Sequence, residues 1–245
     1  MDLYIIRHAQ STNNSLPAEV ELRDRVCDPL LTELGYRQAE LLAEHLATGC
    51  DGWSEAASAD PEASVGPCTV TYGITRLVCS PMKRTLLTAQ PASRALGLHP
   101  EIWLDIHEHG GIYLDHSEPM GKVGYPGITR PELVAQFPGY HAPETLTDQG
   151  WWRDGFEEWD ACLSRAAGVA SRLREMRVTG ESLAMVTHGA FASALIMALV
   201  GTPPDAGVHF SHHNTGISLI RFRADGGIRL RYLNRVSHLP PDMIT

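Results

Sequence analysis

The chain opens on a short run of apolar residues, Leu3-Tyr4-Ile5-Ile6, that breaks off at the polar Arg7-His8-Ala9-Gln10. An unbroken apolar run, rather than an alternating one, predicts a strand covered on both faces. Thr32 with Glu33 behind it reads as a helix start, Leu34, Leu41, Leu42 and Leu46 fall on one face, and Gly49 is a stop. Arg76 to Cys79 predicts a second strand, after which Ser80-Pro81 opens a helix with Pro81 in its first turn. Ile102-Trp103-Leu104 predicts a third strand, leading into His107-Glu108-His109-Gly110-Gly111. Phe156, Trp159, Leu163, Ala166, Ala170 and Leu173 recur at helical steps, with acids leading, arginines closing and Gly180 ending the run. Ser182 to Thr187 is a fourth strand. It stops at His188-Gly189 and feeds an apolar helix, Ala190 to Val200. Ile217 to Arg223 and Ile228 to Leu233 flank Asp225-Gly226-Gly227 and predict a hairpin.

Strands alternating with helices imply an α/β fold. The expected form is a three-layer αβα sandwich with a mostly parallel sheet and an antiparallel edge strand from the terminal hairpin. Two stretches interrupt the alternation. Residues 51–73 are rich in Ala, Ser, Gly, Pro and acids and predict a surface insertion. Residues 110–150, rich in Gly, Pro, Tyr and His, predict a long irregular insertion that caps a site. A chain of 245 residues accommodates both within a single domain spanning 1–245.

Composition narrows the partners. Hydrophobic residues make up 43% and charged residues 20%, as in an ordinary soluble protein. A net charge of -9 argues against nucleic acid, although a local arginine pocket can still hold a small anion. The start shows no basic and apolar leader, and the most apolar helical run is too short for a bilayer, so neither secretion nor a membrane is expected. The five cysteines are odd in number and lack metal-binding spacing, which reads as reduced thiols in the cytoplasm. No seam for a homodimer is legible, and that state is left open.

Ligands of open α/β sheets bind beyond the carboxyl ends of the strands. The predicted strand ends deliver Arg7-His8, Ser80 to Arg84, and His188-Gly189 to that edge, with Glu108 after the third strand. Arginine forks match phosphate oxygens, a neutral imidazole attacks phosphorus, and a carboxylic acid protonates a leaving alcohol. Arg7, Arg84, His8, His188 and Glu108 therefore form a set suited to phosphoryl transfer without a metal or other cofactor. Taken singly, Arg-His after a strand is a surface turn, Arg84 a solvated helix residue, and His188 a near-core histidine. Their shared position after apolar runs favours function.

Arg7-His8-Ala9-Gln10-Ser11-Thr12-Asn13-Asn14 resembles the Arg-His-Gly-Glu/Gln-Thr-x-x-Asn signature of the histidine phosphatase superfamily, with Ala9 in place of glycine and Ser11 in place of threonine. Three further segments resemble that family in the same order. They are Pro29 to Gly35 with Gln38-Ala39, Ser80 to Thr85 with Thr88-Ala89, and Val186-Thr187-His188-Gly189. The resemblance implies that His8 becomes phosphohistidine, that Arg7, Arg84 and His188 with Gly189 hold the phosphate, and that Asn14 reaches the transferred group. It implies Glu108 as proton donor and then base, making the protein a phosphomonoesterase of the histidine acid phosphatase type on a small phosphorylated metabolite. The alternatives are a cofactor-dependent phosphoglycerate mutase and a non-catalytic phospholigand binder. The mutases carry Glu-Arg-His-Tyr-Gly where this chain reads Glu108-His109-Gly110-Gly111-Ile112, which favours hydrolysis.

Other residues stay open. Arg130 in the cap is either a second contact to an acidic substrate or a solvated charge. His107, His109 and His116 lack a metal-ligand spacing. His212-His213-Asn214 matches a His-Asn pair often near the site in this family, or is a turn. Trp151-Trp152 is expected to pack the cap on the core.

Overall fold

A computed structural model describes residues 1–17, 25–49, 71–116 and 118–245. The expected surface insertion at 51–73 lies outside the described residues except for its last three. One of these, Tyr72, is core: its ring meets Tyr4 edge-on at 5.1 Å and its hydroxyl bonds His45 Nε2 at 2.8 Å.

Six strands form the main sheet: β1 (Asp2–Arg7), β2 (Arg76–Cys79), β3 (Glu101–Ile102), β6 (Ser182–Thr187), β7 (Ile217–Phe222) and β8 (Ile228–Arg235), in the order β3-β2-β6-β1-β7-β8. Strands β3, β2, β6 and β1 are parallel, while β7 and β8 run antiparallel. The apolar run of β1 is explained by its two faces. Tyr4 and Ile6 join a cluster with α1 (Glu33–Thr48) and α2 (Lys83–Leu96), while Leu3 and Ile5 join one with α4 (Trp159–Met176) and α5 (Gly189–Val200). Strand β6 divides the same way, Ala184 and Val186 to one side, Leu183 and Met185 to the other. The three layers follow from this double covering.

Thr32 caps α1, accepting from Gly35 N at 2.9 Å, and Gly49 closes it. Glycine is required at 35 for space, since a Cβ there would stand 2.1 Å from the Gln10 carbonyl oxygen. The helix start is thereby pressed against the chain that follows β1. Helix α2 begins later than expected, at Lys83, with Pro81 ahead of it. Met82 offers no side-chain cap; the carboxylate of Asp28 accepts from Lys83 N at 3.0 Å and supplies the cap from a distant loop.

The stretch 110–150, expected to cap the site, is more regular than its composition suggests. It contains the hairpin β4 (Tyr113–Asp115) and β5 (Lys122–Gly124), and the helix α3 (Arg130–Gln136). Thr129 and Glu132 close a capping box on α3, and Pro131 sits in its first turn. Ile112, Ile128, Leu133, Phe137 and Leu146 gather with Trp151 and Trp152 in the same core cluster as α1 and α2, so the tryptophans pack the cap on the core. Among the described residues no helix is long and apolar enough to cross a membrane.

Candidate active site

The parallel strands β1, β2 and β6 end at one edge, and the chain leaving each supplies part of a cleft of about 280 Å³. Arg7, His8, Asn14, Arg84, Glu108 and Ala190 line it. His188 lies immediately behind, fully buried, its ring centroid 5.2 Å from that of His8.

The segment carrying His8 is pinned along its length. His8 N donates to Thr187 O, Ala9 N to Thr88 Oγ1 and Gln10 N to Gln38 Oε1. Thr32 Oγ1 donates to Gln10 Oε1 at 2.7 Å, and Asn214 Nδ2 donates to His8 O at 2.9 Å. The methyl of Ala9, where the signature has glycine, is buried against Leu31 and Ala39. Ser11 donates from both N and Oγ to Asn14 Oδ1, at 3.1 and 2.9 Å. With its carbonyl oxygen so occupied, Asn14 offers the cleft its amide N–H groups.

The two ring nitrogens of His8 have different neighbours. Nδ1 lies 2.7 Å from Ala9 O, a pure acceptor, so it carries the hydrogen. Nε2 receives the Nε–H of Arg84 at 3.2 Å, a pure donor, so it carries the lone pair. Burial first, then the charges of Arg84 and Arg7, push the His8 pKa well below 6.5. The ring is therefore neutral, with Nε2 free of a proton.

Arg84 is almost fully buried, 4.0 Å from Asp28 through its Nη1. Desolvation lowers the pKa of both Arg84 and Arg7, opposed at Arg84 by Asp28 and then Glu108, and at Arg7 by Glu108. Burial raises Asp28 to about 6 against the pull of Arg84, and its Oδ2 is buried without a hydrogen bond. Arg7 donates from Nη1 to His212 O at 2.5 Å, leaving its Nε buried and unpartnered. His188 Nε2 bonds Ser80 Oγ at 2.8 Å, and its Nδ1 is likewise buried and unpartnered. Desolvation and Arg84 hold His188 neutral as well. Arg7 Nε and His188 Nδ1 are thus polar atoms with a hydrogen bond to spare at the carboxyl edge of the sheet.

Glu108 sits at the start of α5. Its Oε1 accepts from Phe191 N and His109 N, both at 3.0 Å, whereas the contact of Oε2 to Ala190 N is long at 3.4 Å. Oε2 is thus the freer oxygen at the cleft. Gly189 flanks Arg7, 3.5 Å from its Nε to an added Cβ, and forms the first turn of α5.

Arg130 lies elsewhere. Its Nε and Nη2 donate to the carbonyls of Leu146 and Pro143, so the guanidinium ties the cap together and is not part of the cleft wall. The cap instead reaches the cleft through Tyr113, Leu114 and Asp115 of β4. His107 rests between Trp151 and Trp152, and burial with Arg165 lowers it to about 4. His109 turns to Phe156 and Trp159 instead, so the two rings diverge. His116 bonds Tyr125, and His213 faces Thr245 O. His212 serves through its backbone, as the acceptor for Arg7.

Sequence reading missed Asp28 and Arg25 at the cleft; Ser80 stood within the second-arginine segment without a role of its own, and Asn214 stayed open between a residue near the site and a turn. Asp28 and Arg25 lie in the loop before Pro29, and nothing in their local pattern ties them to α2 or the cleft.

Solved phosphatase structures share this fold, three of them as follows. Phosphoserine phosphatase from Entamoeba histolytica, in complex with 3-phosphoglyceric acid, overlaps with a TM-score of 0.57 at 18% identity, covering 98% of this chain and 99% of its own. A putative alpha-ribazole-5'-P phosphatase from Escherichia coli gives 0.59 at 20%, with 96% of each chain covered. A mycobacterial glucosyl-3-phosphoglycerate phosphatase complexed with VO3 gives 0.55 at 19%, covering 96% and 99%. No curated protein matches in sequence. The sequence model of the histidine phosphatase superfamily (branch 1) matches residues 63–235, most of the chain, and the protein belongs to that superfamily.

Proposed function

We propose that the protein hydrolyses a phosphomonoester of a small metabolite through a phosphohistidine on His8. The observation that carries this reading is the fixed tautomer of His8, whose unprotonated Nε2 faces a buried guanidinium. The phosphoryl oxygens take the donors that the protein leaves unused on Arg7, Arg84, His188 and Asn14. As the dianion arrives, the Nε–H of Arg84 passes from His8 to a phosphoryl oxygen and frees the lone pair. Nε2 forms a bond to phosphorus while the bond from phosphorus to the ester oxygen breaks, and Glu108 Oε2 gives its proton to the departing alcohol. Water then attacks phosphorus, its proton returns to Glu108, and the P–N bond breaks to release phosphate and restore His8. Fixed donors of this kind are each worth about 10²–10³ in rate.

Hydrolysis is favoured over mutase transfer because the residues after Glu108 are His109-Gly110-Gly111. They bring no further fixed charge to the acid. The test is incubation with phosphomonoesters followed by detection of acid-labile, base-stable phosphate on the protein. Labelling that disappears in His8→Ala supports the reading. Phosphate release that survives His8→Ala overturns the mechanism, and tight phosphate binding without turnover overturns the enzyme reading in favour of a phospholigand binder.

A further inference from the structure

A second cavity, of about 770 Å³, adjoins the cleft on the α5 side and shares Arg7, Glu108 and Ala190 with it. The proton donor therefore stands on the boundary between two spaces. The two differ in size. The cleft, at about 280 Å³, stands at the lower end of the ~300–1,000 Å³ usual for an organic ligand. The second cavity falls well inside that range.

Chemistry separates them too. The cleft is rimmed by Arg25, Asn13, Tyr113 and Asp115, which suit a polar skeleton. The second cavity is walled by Trp159, Phe210 and Pro204, with His209 beside them. Apart from its histidines, Arg7 and Glu108 are its charged residues, and both are engaged at the reacting end. Among the described residues a charged skeleton would find no further counter-ion there. The aromatic wall is continuous: the Trp159 ring meets His109 of the cleft edge-on at 5.2 Å and His209 of the second cavity at 6.3 Å. It is also held in place, because Phe210 N donates to Ser193 Oγ at 2.9 Å and Phe210 O accepts from His212 Nδ1 at 3.0 Å.

We propose that this second cavity is the leaving-group subsite for phosphomonoesters of bulky, uncharged, ring-bearing alcohols. The inference rests on the phosphatase reading of His8 and Glu108. The ester oxygen sits at Glu108, and the rest of the alcohol passes over Ala190 onto Trp159 and Phe210 rather than under the β4 hairpin.

The experiment compares naphthylmethyl phosphate with glycerol 1-phosphate, both primary alkyl esters whose leaving alcohols are of similar intrinsic reactivity. Phe210→Ala removes the aromatic face. Ser211→Trp fills the cavity from an exposed position and leaves the core intact. Both variants are expected to lower kcat/KM for naphthylmethyl phosphate at least about tenfold, mainly through KM, with glycerol 1-phosphate changed less than about twofold. Equal losses on both esters, or no loss on the aromatic one, overturn the subsite while leaving the phosphatase reading intact. Failure of wild type to release phosphate from either ester overturns that reading and the subsite with it.

Discussion

Asp28 stands 4.0 Å from Arg84 and at the same time caps the helix that carries it, through Lys83 N. One buried carboxylate thus fixes both the start of α2 and the direction of the guanidinium that donates to His8. Asp28→Asn keeps an acceptor for Lys83 but removes the charge. The expected result is a kcat loss of about 10- to 100-fold with the fold retained, since small misplacements of a positioning group cost that much. The pH profile discriminates this from a structural effect. Asp28 titrates at about 6, so wild type should lose rate as the carboxylate becomes neutral below that pH. The asparagine variant should lack that limb, and Asp28→Glu should recover part of it. An unchanged acid limb in Asp28→Asn would sink the assignment.

The buried histidines set the acid stability. His8 and His188 lie well below 6.5, and burial holds His107 and His238 at about 4. The unfolded chain takes up these protons near 6.5, whereas the folded protein refuses them. Their contribution is therefore complete above about pH 6.5 and declines as pH falls towards 4, by ~1.4 kcal/mol per pH unit for each proton. Asp28 acts oppositely: raised to about 6, it takes its proton more readily folded than unfolded, offsetting one histidine between its two values. Urea midpoints measured at pH 7.5, 6 and 5 should fall steeply below pH 6.5. A flat series would show that these rings are not held neutral.

Arg130→Ala should leave kcat and KM unchanged for small esters, because the guanidinium is spent on Leu146 and Pro143 carbonyls. What it should reduce is stability, by about 1.5–3 kcal/mol per charged hydrogen bond at most. Thermal denaturation alongside steady-state kinetics checks both halves. A raised KM at constant stability would return Arg130 to substrate contact.

Gly35→Ala tests the packing behind the proposed nucleophile, His8. The added methyl would stand 2.1 Å from Gln10 O and 3.2 Å from Leu31 Cβ, so backbone must move. A loss of about 1–3 kcal/mol is expected from overpacking. Activity should fall too, because Gln10 is two residues from His8. Unaltered kcat in a destabilised variant would mean that α1 and the His8 segment are mechanically independent.

The sheet and its site-bearing edge were legible because β1, β2 and β6 are covered on both faces, and double covering writes itself as unbroken apolar runs ending in polar residues. Thr32 and Gly49 were legible because capping chemistry is local. What was not legible depends on contacts far apart in sequence. The late start of α2 reflects Asp28, which lies 55 positions before Lys83. The elements of residues 110–150 were hidden because short strands such as Tyr113–Asp115 carry no periodicity, and Arg130 read as either a substrate contact or a solvated charge because its carbonyl partners lie 13 and 16 residues on.

Glu108→Gln separates the two duties proposed for Glu108. Glutamine keeps a carbonyl oxygen for Phe191 N and His109 N, so the start of α5 should hold. It cannot protonate an alkoxide, and kcat on alkyl phosphates should fall about 10²–10⁴-fold. A nitrophenyl ester leaves as a stable phenolate and needs no proton, so His8 should still be phosphorylated by it. The second step then lacks its base, and phosphohistidine should accumulate as a rapid burst followed by slow release. Rapid-quench measurement of the bound phosphate reads this directly. If the variant turned over nitrophenyl phosphate without a burst, with alkyl and aryl esters slowed alike, Glu108 would be holding α5 in place rather than moving the proton.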